Sequence, residues 1–477
     1  VKEGESISTF YTYQDFEEYV NKGKVTEFVG LAIDTHKTSP LCRTALDADQ
    51  YDAGRNITIS QVEQVIFTEH GQRKSNETAS NLKLASNFFQ RLNTQRCTYS
   101  LGNGVTFQAD GVRDKLGAEA DRQLYTAGYY GLINGVSYLY WAYDHIHVFR
   151  ATEFVPLVDE QTSDLRAGVR FWQLAPDRPL WATLYTEDGY LDFRSEDGNT
   201  GGLVPMSDDF QAYRMNLAQT PATTGDVFTA HNYSSLPIVP LWGNRCHQST
   251  IVGVRELIDA YDLIQSGFAN DLQDCAQIYW IVNGAGGTNE KELNRFRERL
   301  MYSHFASVNS DDVSITPYTQ EIPYNAREAA LTRIRAQIYD NFGGLDVSNI
   351  SSAAKTATEI NAAYQPMDEN ADDFEYQIIE AVRKLLALQG VSAEDATPQF
   401  KRNRVSNVKE QVEILMLEAP YLDDETILKK LPNVSEEEID EIMKRKAEDD
   451  LDRLSGGFHS GNDQEEEEEP EEVTADG

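Results

Sequence analysis

The segment from Ser249 to Asn283, "STIVGVRELIDAYDLIQSGFANDLQDCAQIYWIVN", constrains this chain most. Val254, Leu257, Ile258, Tyr261, Ile264, Phe268, Leu272, Cys275 and Tyr279 recur at steps of three and four, which puts them on one side of a helix. Asp259, Asp262, Asp271 and Asp274 fall off that stripe, so one long helix is expected, with an apolar side for packing and an acidic side facing solvent. The stretch before it has the other period. "GVSYLYWAYD", "HIHVFRATEFVPLV", "GVRFWQL" and "RPLWATLYTEDGYLDFR" alternate by twos, and Glu187-Asp188-Gly189 suits a hairpin turn, so an antiparallel sheet is expected from Gly135 to Arg194. The fold class is therefore α+β.

The flanking sequence supplies further elements. In "QYDAGRNITIS" the Asp-Ala-Gly predicts a turn before a short β-prone run. "NLKLASNFFQRL", Asn81 to Leu92, places Leu84, Phe88 and Phe89 on one helical face, and "YSLGNGVTF" predicts a strand broken by Gly-Asn-Gly. A helix is expected around Glu119 to Gly131, and a shorter one in "GAGGTNEKELNRFRERLMYSHF", with Lys291, Arg295, Arg297 and Arg299 as a basic cluster. After the strand-like "DDVSITPYTQEIP", a second long helix runs from about Asn325 to Phe342 with Leu331, Ile334 and Ile338 as its ridge, and stops at Gly343-Gly344. A third starts at Ser351 or Ser352 and runs to Gly390, interrupted at Pro366. Three short helices follow in "VSNVKEQVEILMLEAP", "LDDETILKKLP" and "NVSEEEIDEIMKRKAEDDL", closed by Pro420 and Pro432 and opened in the last by a Ser435 to Glu438 capping box. Beyond Leu454 the composition collapses to Gly, Ser, Asp and Glu, and disorder is expected.

Charge and cysteine usage exclude whole classes. The formal charge is −36, and the tail from Leu454 contributes nine of the acidic residues, so the body is acidic in its own right. A basic cleft wrapped around nucleic acid is excluded, because phosphate affinity comes largely from Lys and Arg. Cys42, Cys97, Cys246 and Cys275 have no paired spacing, which signals neither a zinc site nor a disulfide framework and suits a reducing compartment. No apolar run approaches the ~18 residues a membrane span needs, so a soluble intracellular protein is expected, and Asn-x-Ser/Thr triplets without a signal peptide carry no weight.

Motifs for catalysis are poor. His145 and His147, two apart on a strand, share a face, but Asp144 falls on the other, so a structural or surface pair is expected over a metal site. Cys246 and His247 are adjacent and point apart. "DADQYD", residues 47 to 52, fails as a calcium loop because Tyr51 takes a ligand position and the glycine is missing. "FGGLDVSNISSAAKTATEI" ends in Lys355-Thr356 but has Ala354 where a phosphate loop needs glycine, so it is an interhelical loop, not a nucleotide cradle. No catalytic residue, metal or cofactor is called for.

In order along the chain, "YDAGRN", "NFFQRLNTQRCTYSLGNGVTF", "GLINGVSYLYWAYD" and "NYSSLPIVPLWGNRCHQSTIVGVRELIDAYDLIQSGFANDLQD" resemble the portal proteins of tailed bacteriophages, in the family typical of long-tailed phages of Gram-positive hosts. The likeness spans about Tyr51 to Leu388, and "LPIVPLWGN" running into the long helix is its most specific part. The resemblance implies a ring, typically a dodecamer, at a capsid vertex, through which double-stranded DNA is packaged and ejected. It implies an N-terminal and wing region (1–248), stem helices at 249–283 and 325–342, and a clip between them (284–324). A tunnel loop (343–351), a long kinked helix (352–390), a helical crown (391–453) and the acidic tail (454–477) would follow. The tunnel loop would turn Gly343, Gly344, Asp346, Ser348, Asn349, Ser351, Ser352 and Lys355 toward the DNA, with Lys355 meeting phosphates or pairing with Glu359. Lys291, Arg295, Arg297 and Arg299 would serve clip docking. The implied partners are a terminase, head-completion and adaptor proteins, and the major capsid and scaffold proteins, without a membrane. The implied location is the virion, with host cytoplasm during assembly. Pervasive acidity suits a conduit in which a polyanion must slide. The alternative is a capsid-associated scaffold oligomer without DNA passage.

Overall fold

The computed structural model describes residues 10–67, 73–75, 80–218, 227–275, 279–283, 314–318, 323–346 and 357–403, with short pieces between 415 and 446. The chain divides into two compact units, residues 1–354 with 362–403, and residues 355–361 with 404–477.

The first unit opens on helices α1 (Tyr13–Asn21), α2 (Val25–Thr38) and α3 (Pro40–Asp52). Thr12 and Asp15 form a capping box on α1, and Ser39 caps α3 with Pro40 in the first turn, where the missing N–H costs nothing. The Asp-Ala-Gly turn forms as expected, with Gly54 at φ +69. The β-prone run after it is instead a short helix, α4 (Ile57–Gln61). Tertiary bonds decide this: the Thr58 hydroxyl donates to Asp259 at 2.7 Å and the buried Asn56 amide donates to Asp262.

A hairpin of β1 (Val65–Phe67) and β2 (Arg73–Ser75) precedes α5 (Phe88–Leu101). The helix expected from Asn81 therefore starts only at Phe88, because the amides of residues 82, 84 and 86 are taken by side chains of a distant helix. It also swallows Tyr99-Ser100-Leu101, which the sequence assigns to a strand. Only β3 (Val105–Phe107), after a turn with Gly104 at φ +72, is extended. The expected helix near Glu119 is α6 (Ala120–Asn134).

The strands β4 (Val136–Ala142), β5 (His145–Arg150), β6 (Phe154–Val158), β7 (Leu165–Gln173), β8 (Leu180–Thr186), β9 (Gly189–Ser195) and β10 (Val204–Pro205) follow. They are antiparallel as expected, but they build two sheets. β6 to β10 form an up-and-down meander, whereas β4 and β5 join β13 (Ile238–Trp242) in the order β13-β4-β5. The pair β11 (Arg214–Ala218) and β12 (Val227–His231) lies between them in sequence. The meander is covered by α1 and α2, where Phe16, Phe28, Val29 and Ile33 pack on Leu157, Val169, Leu184 and Phe193. Each such side chain contributes about 2 kcal/mol on leaving water. Asp144, expected to face away from His145, bends back through the β4–β5 turn to bond its ring at 2.6 Å.

The long apolar stripe becomes α7 (Arg255–Cys275), not a helix to Asn283. Before it, Thr250 holds Asn93 at 2.8 Å and the Ser249 hydroxyl donates to the Ile133 carbonyl, fixing a turn. After it, Tyr279–Asn283 is strand β14, paired with β15 (Ser314–Tyr318), since "YWIVN" carries the aromatic and β-branched residues a strand favours. α8 (Tyr324–Phe342) and α9 (Ala357–Ala387) complete the long helices. α9 runs through Pro366 without the expected interruption, and the carbonyl deprived of its donor belongs to the exposed Ala362. Finally β16 (Pro398–Phe400) pairs with β3.

Two cores position the helices. Ala48, Tyr51, Phe89, Leu92, Ile133, Val254, Ile258, Ile338, Tyr339 and Phe342 bring together α3, α5, α6 and the roots of α7 and α8. Phe374, Ile378, Val382 and Leu385 of α9 pack with Leu124 and Leu132 of α6 and Leu139 and Trp141 of β4. In the second unit, residues 415–417, 426–428 and 441–446 are helical, within the expected short helices, and Asp423 caps the middle one through Thr426. The capping box at Ser435 and the acidic tail lie outside the described residues.

Candidate functional site: the root of the loop after the second long helix

The loop between α8 and α9 starts from a heavily secured root. Gly343 closes α8 in the left-handed conformation, φ +62, as the glycine pair predicts. The carbonyl of Phe342, which no helical N–H can reach, accepts instead from the Arg96 guanidinium at 2.5 Å and the Asn370 amide at 3.5 Å. The same guanidinium lies over the Phe342 ring, 5.0 Å from its centre. Burial lowers the pKa of Arg96 to about 10, which leaves it charged at neutral pH. Leu345 is held at both backbone groups by Gln95, each bond at 3.0 Å, and Asp346 accepts two bonds from Arg335 at 3.1 Å.

Gly343 and Gly344, which the resemblance would turn toward the DNA, are closely packed against their neighbours. Gly343 is buried, and a β-carbon there would collide with the Asn370 amide; one on Gly344 would come within 2.5 Å of Leu92. Their small size serves close packing of α8 on α5 and α9. Asp346 is ion-paired with Arg335. Ser348, Asn349, Ser351, Ser352 and Lys355 lie outside the described residues, as does the clip cluster Lys291, Arg295, Arg297 and Arg299. Glu359, the residue considered as a partner for Lys355, is exposed on α9.

The acidic side of α7 is also not the solvated face that the sequence suggests. Asp259 accepts from Tyr51 at 2.6 Å and from Thr58, Asp262 is fully buried against Asn56 and Ser86, and Asp271 pairs with Arg327 of α8. Burial raises the pKa of Asp262. "DADQYD" lies in α3, and its acids grip three different elements. Asp47 holds Arg255 of α7 at 2.8 Å, Asp49 holds Arg150 of β5 and Asn134 of α6, and Asp52 accepts from Tyr129 of α6 at 2.6 Å. His145 and His147 are an exposed ring pair, 4.9 Å apart, and no cluster of metal-ligating residues occurs among the described residues. Cys246 is an exposed free thiol, while His247 stacks on Trp242.

The runs that carry the resemblance meet in space. "GLINGVSYLYWAYD" and "LPIVPLWGN" form α6's last turns, β4 and β13, with Trp242 opposite Val136 in register. Gly131 and Gly243 let these segments touch backbone to backbone: a β-carbon on Gly243 would collide with the Gly131 carbonyl oxygen and lie 2.8 Å from the Leu132 Cα.

The family described as "Phage portal protein, SPP1 Gp6-like" matches residues 33–451. The chain belongs to that family. Within it, the portal protein of Bacillus phage SPP1 is 23% identical over 461 residues, covering 89% of this chain and 87% of its own. The portal protein of Clostridium phage phiCD119 is 28% identical over 219 residues, 44% of this chain, and the chain spans about half the length of that relative, 48%. The neck of a native gene transfer agent particle aligns over 72% of this chain and 89% of its own at 12% identity, with a TM-score of 0.38. Portal family membership accounts for the sequence order that the resemblance rests on. The residues that secure the loop root, Gln95, Arg96 and Asn370, lay outside sequence reasoning, because their roles depend on helices far apart in the chain.

Proposed function

We propose that this chain is the subunit of a ring-shaped portal, a non-enzymatic channel at a capsid vertex through which double-stranded DNA is packaged and later released. The observation that carries this reading is the family match over residues 33–451. On this reading α7 and α8 are stem helices, residues 284–324 are the clip, and the loop beyond Asp346 leans into the bore. Ser348, Asn349, Ser351, Ser352 and Lys355 then face the DNA, whereas Gly343, Gly344 and Asp346 form the fixed mount. A conduit gains from a rigid mount, because force on the loop is passed directly to α5, α8 and α9. Lys291, Arg295, Arg297 and Arg299 dock partners at the clip: a terminase that hydrolyses ATP during packaging, and afterwards head-completion and adaptor proteins. The ring is a dodecamer that assembles with capsid and scaffold proteins in the host cytoplasm and remains in the virion.

The loop assignment has a direct test. Deletion of Ser348 to Ser351 leaves the anchor residues in place, so rings are expected to form normally while the amount of DNA packaged per head drops at least tenfold. Loss of rings would instead make the loop an assembly element, and normal packaging would remove it from the channel.

A further inference from the structure

Residues 81–87 carry no regular secondary structure, yet every second amide is satisfied. The N–H of Leu82 donates to Asn270 Oδ1 at 2.6 Å, that of Leu84 to Ser266 Oγ at 2.9 Å, and that of Ser86 to Asp262 Oδ1 at 2.9 Å. The bonds are returned: Asn270 Nδ2 donates to the Leu82 carbonyl at 3.3 Å, the Ser266 hydroxyl to that of Leu84 at 3.4 Å, and Asn56 Nδ2 to that of Ser86 at 3.0 Å. Two periods match here. Four residues of helix rise about 6 Å and two residues of extended chain about 6.6 Å, so a row of polar side chains at every fourth helical position serves alternate residues of an antiparallel extended segment.

The binding mode sets its strength. Leu82, Lys83, Leu84 and Ala85 are exposed, Leu82 to 45% and Leu84 to 37%, so the segment buries little apolar surface and its hold on α7 is almost wholly these hydrogen bonds. The net gain from each such bond is of the same order as the conformational entropy lost in ordering one residue, so the segment is held weakly. The start of α7 is secured quite differently, by Arg255 to Asp47, Asp259 to Tyr51 and the buried Val254 and Ile258.

We infer that residues 81–87 are a releasable strap on α7. It opens as a unit while α5, α6 and the root of α7 stay folded, and opening uncovers the row Asp262, Ser266, Asn270. The middle of α7 then loses one flanking support and keeps its contact with α8, where Asp271 pairs with Arg327. This conformational device belongs to the single chain and does not depend on the ring.

Hydrogen–deuterium exchange of the full-length protein, read at single residues by mass spectrometry, tests it. The amides of Leu82, Leu84 and Ser86 should exchange together, about 100-fold slower than those of Lys83 and Ala85, and at least tenfold faster than those of Leu92 to Leu101 in α5. Ser266→Ala and Asn270→Ala each remove two bonds to the strap, so each should speed all three amides about thirtyfold and leave α5 unchanged, at about 1 kcal/mol per bond. Strap amides that exchange at the α5 rate, or that ignore both substitutions, would overturn the inference.

Discussion

Gly243→Ala is expected to destabilise the first unit by about 3 kcal/mol or more, lowering its urea midpoint and the yield of soluble protein. The added methyl meets backbone, not a side chain that could swing away: the carbonyl of Gly131 stands in its place, with the Leu132 Cα at 2.8 Å. Relief would require β13 to leave β4 or α6 to back away from the sheet, and Leu132, Leu139 and Leu241 are fully buried there. Gly201→Ala, where nothing lies within 4 Å, should be nearly silent. Urea unfolding of both variants against the parent checks the contrast. Equal midpoints would show that the α6–β13 contact is looser than described.

Arg402→Ala should be nearly as damaging, by about 2–3 kcal/mol. The guanidinium reaches three carboxylates of α9 at once: Nε and Nη2 bond Glu375 at 3.0 and 2.8 Å, Nη1 bonds Asp368 at 3.1 Å, and Nη2 also bonds Asp372. Its pKa is raised further, first by hydrogen bonding to Glu375. Removal strands a nearly buried Glu375 beside two like charges. A fully buried pair broken in this way costs about 3–5 kcal/mol, and the exposure of Asp372 brings the expectation down. Arg402→Lys should recover less than half of the loss, because one ammonium cannot span a forked set of acceptors. Urea midpoints of the two variants check this, and equal stability of Lys and Arg would mean that only the charge matters.

These sites show what the sequence could and could not reveal. α8, α6 and the hairpin at Glu187 were legible because local rules govern them: apolar steps of three and four, a glycine pair as a stop, and a two-residue turn between Thr186 and Gly189. The strand order was not, since alternation alone does not say that β4 and β5 leave the meander to join β13. The acidic side of α7 misled for a related reason. Asp259 and Asp262 lie off the apolar stripe, as a solvated face would, but they bury against Tyr51, Thr58, Asn56 and Ser86, all more than 170 residues away. A signal was available in the spacing of Asp262, Ser266 and Asn270 by fours, a polar row too regular and too uncharged for an ordinary wet face. At the loop root the stop at Gly343 was readable, but the enclosure of Gly343 by Asn370 and of Gly344 by Leu92 and Gln95 was not. A glycine pair has the same sequence whether it gives freedom or close packing.

The central claim is that copies of this chain close into a channel for duplex DNA. Purified full-length protein imaged by negative-stain electron microscopy tests it most directly, because repeated head-to-tail interfaces must either close or run on. Closed rings with a central hole of about 20 Å, wide enough for a duplex, are the predicted result. Monomers, open filaments, or closed particles without a central hole would contradict the account.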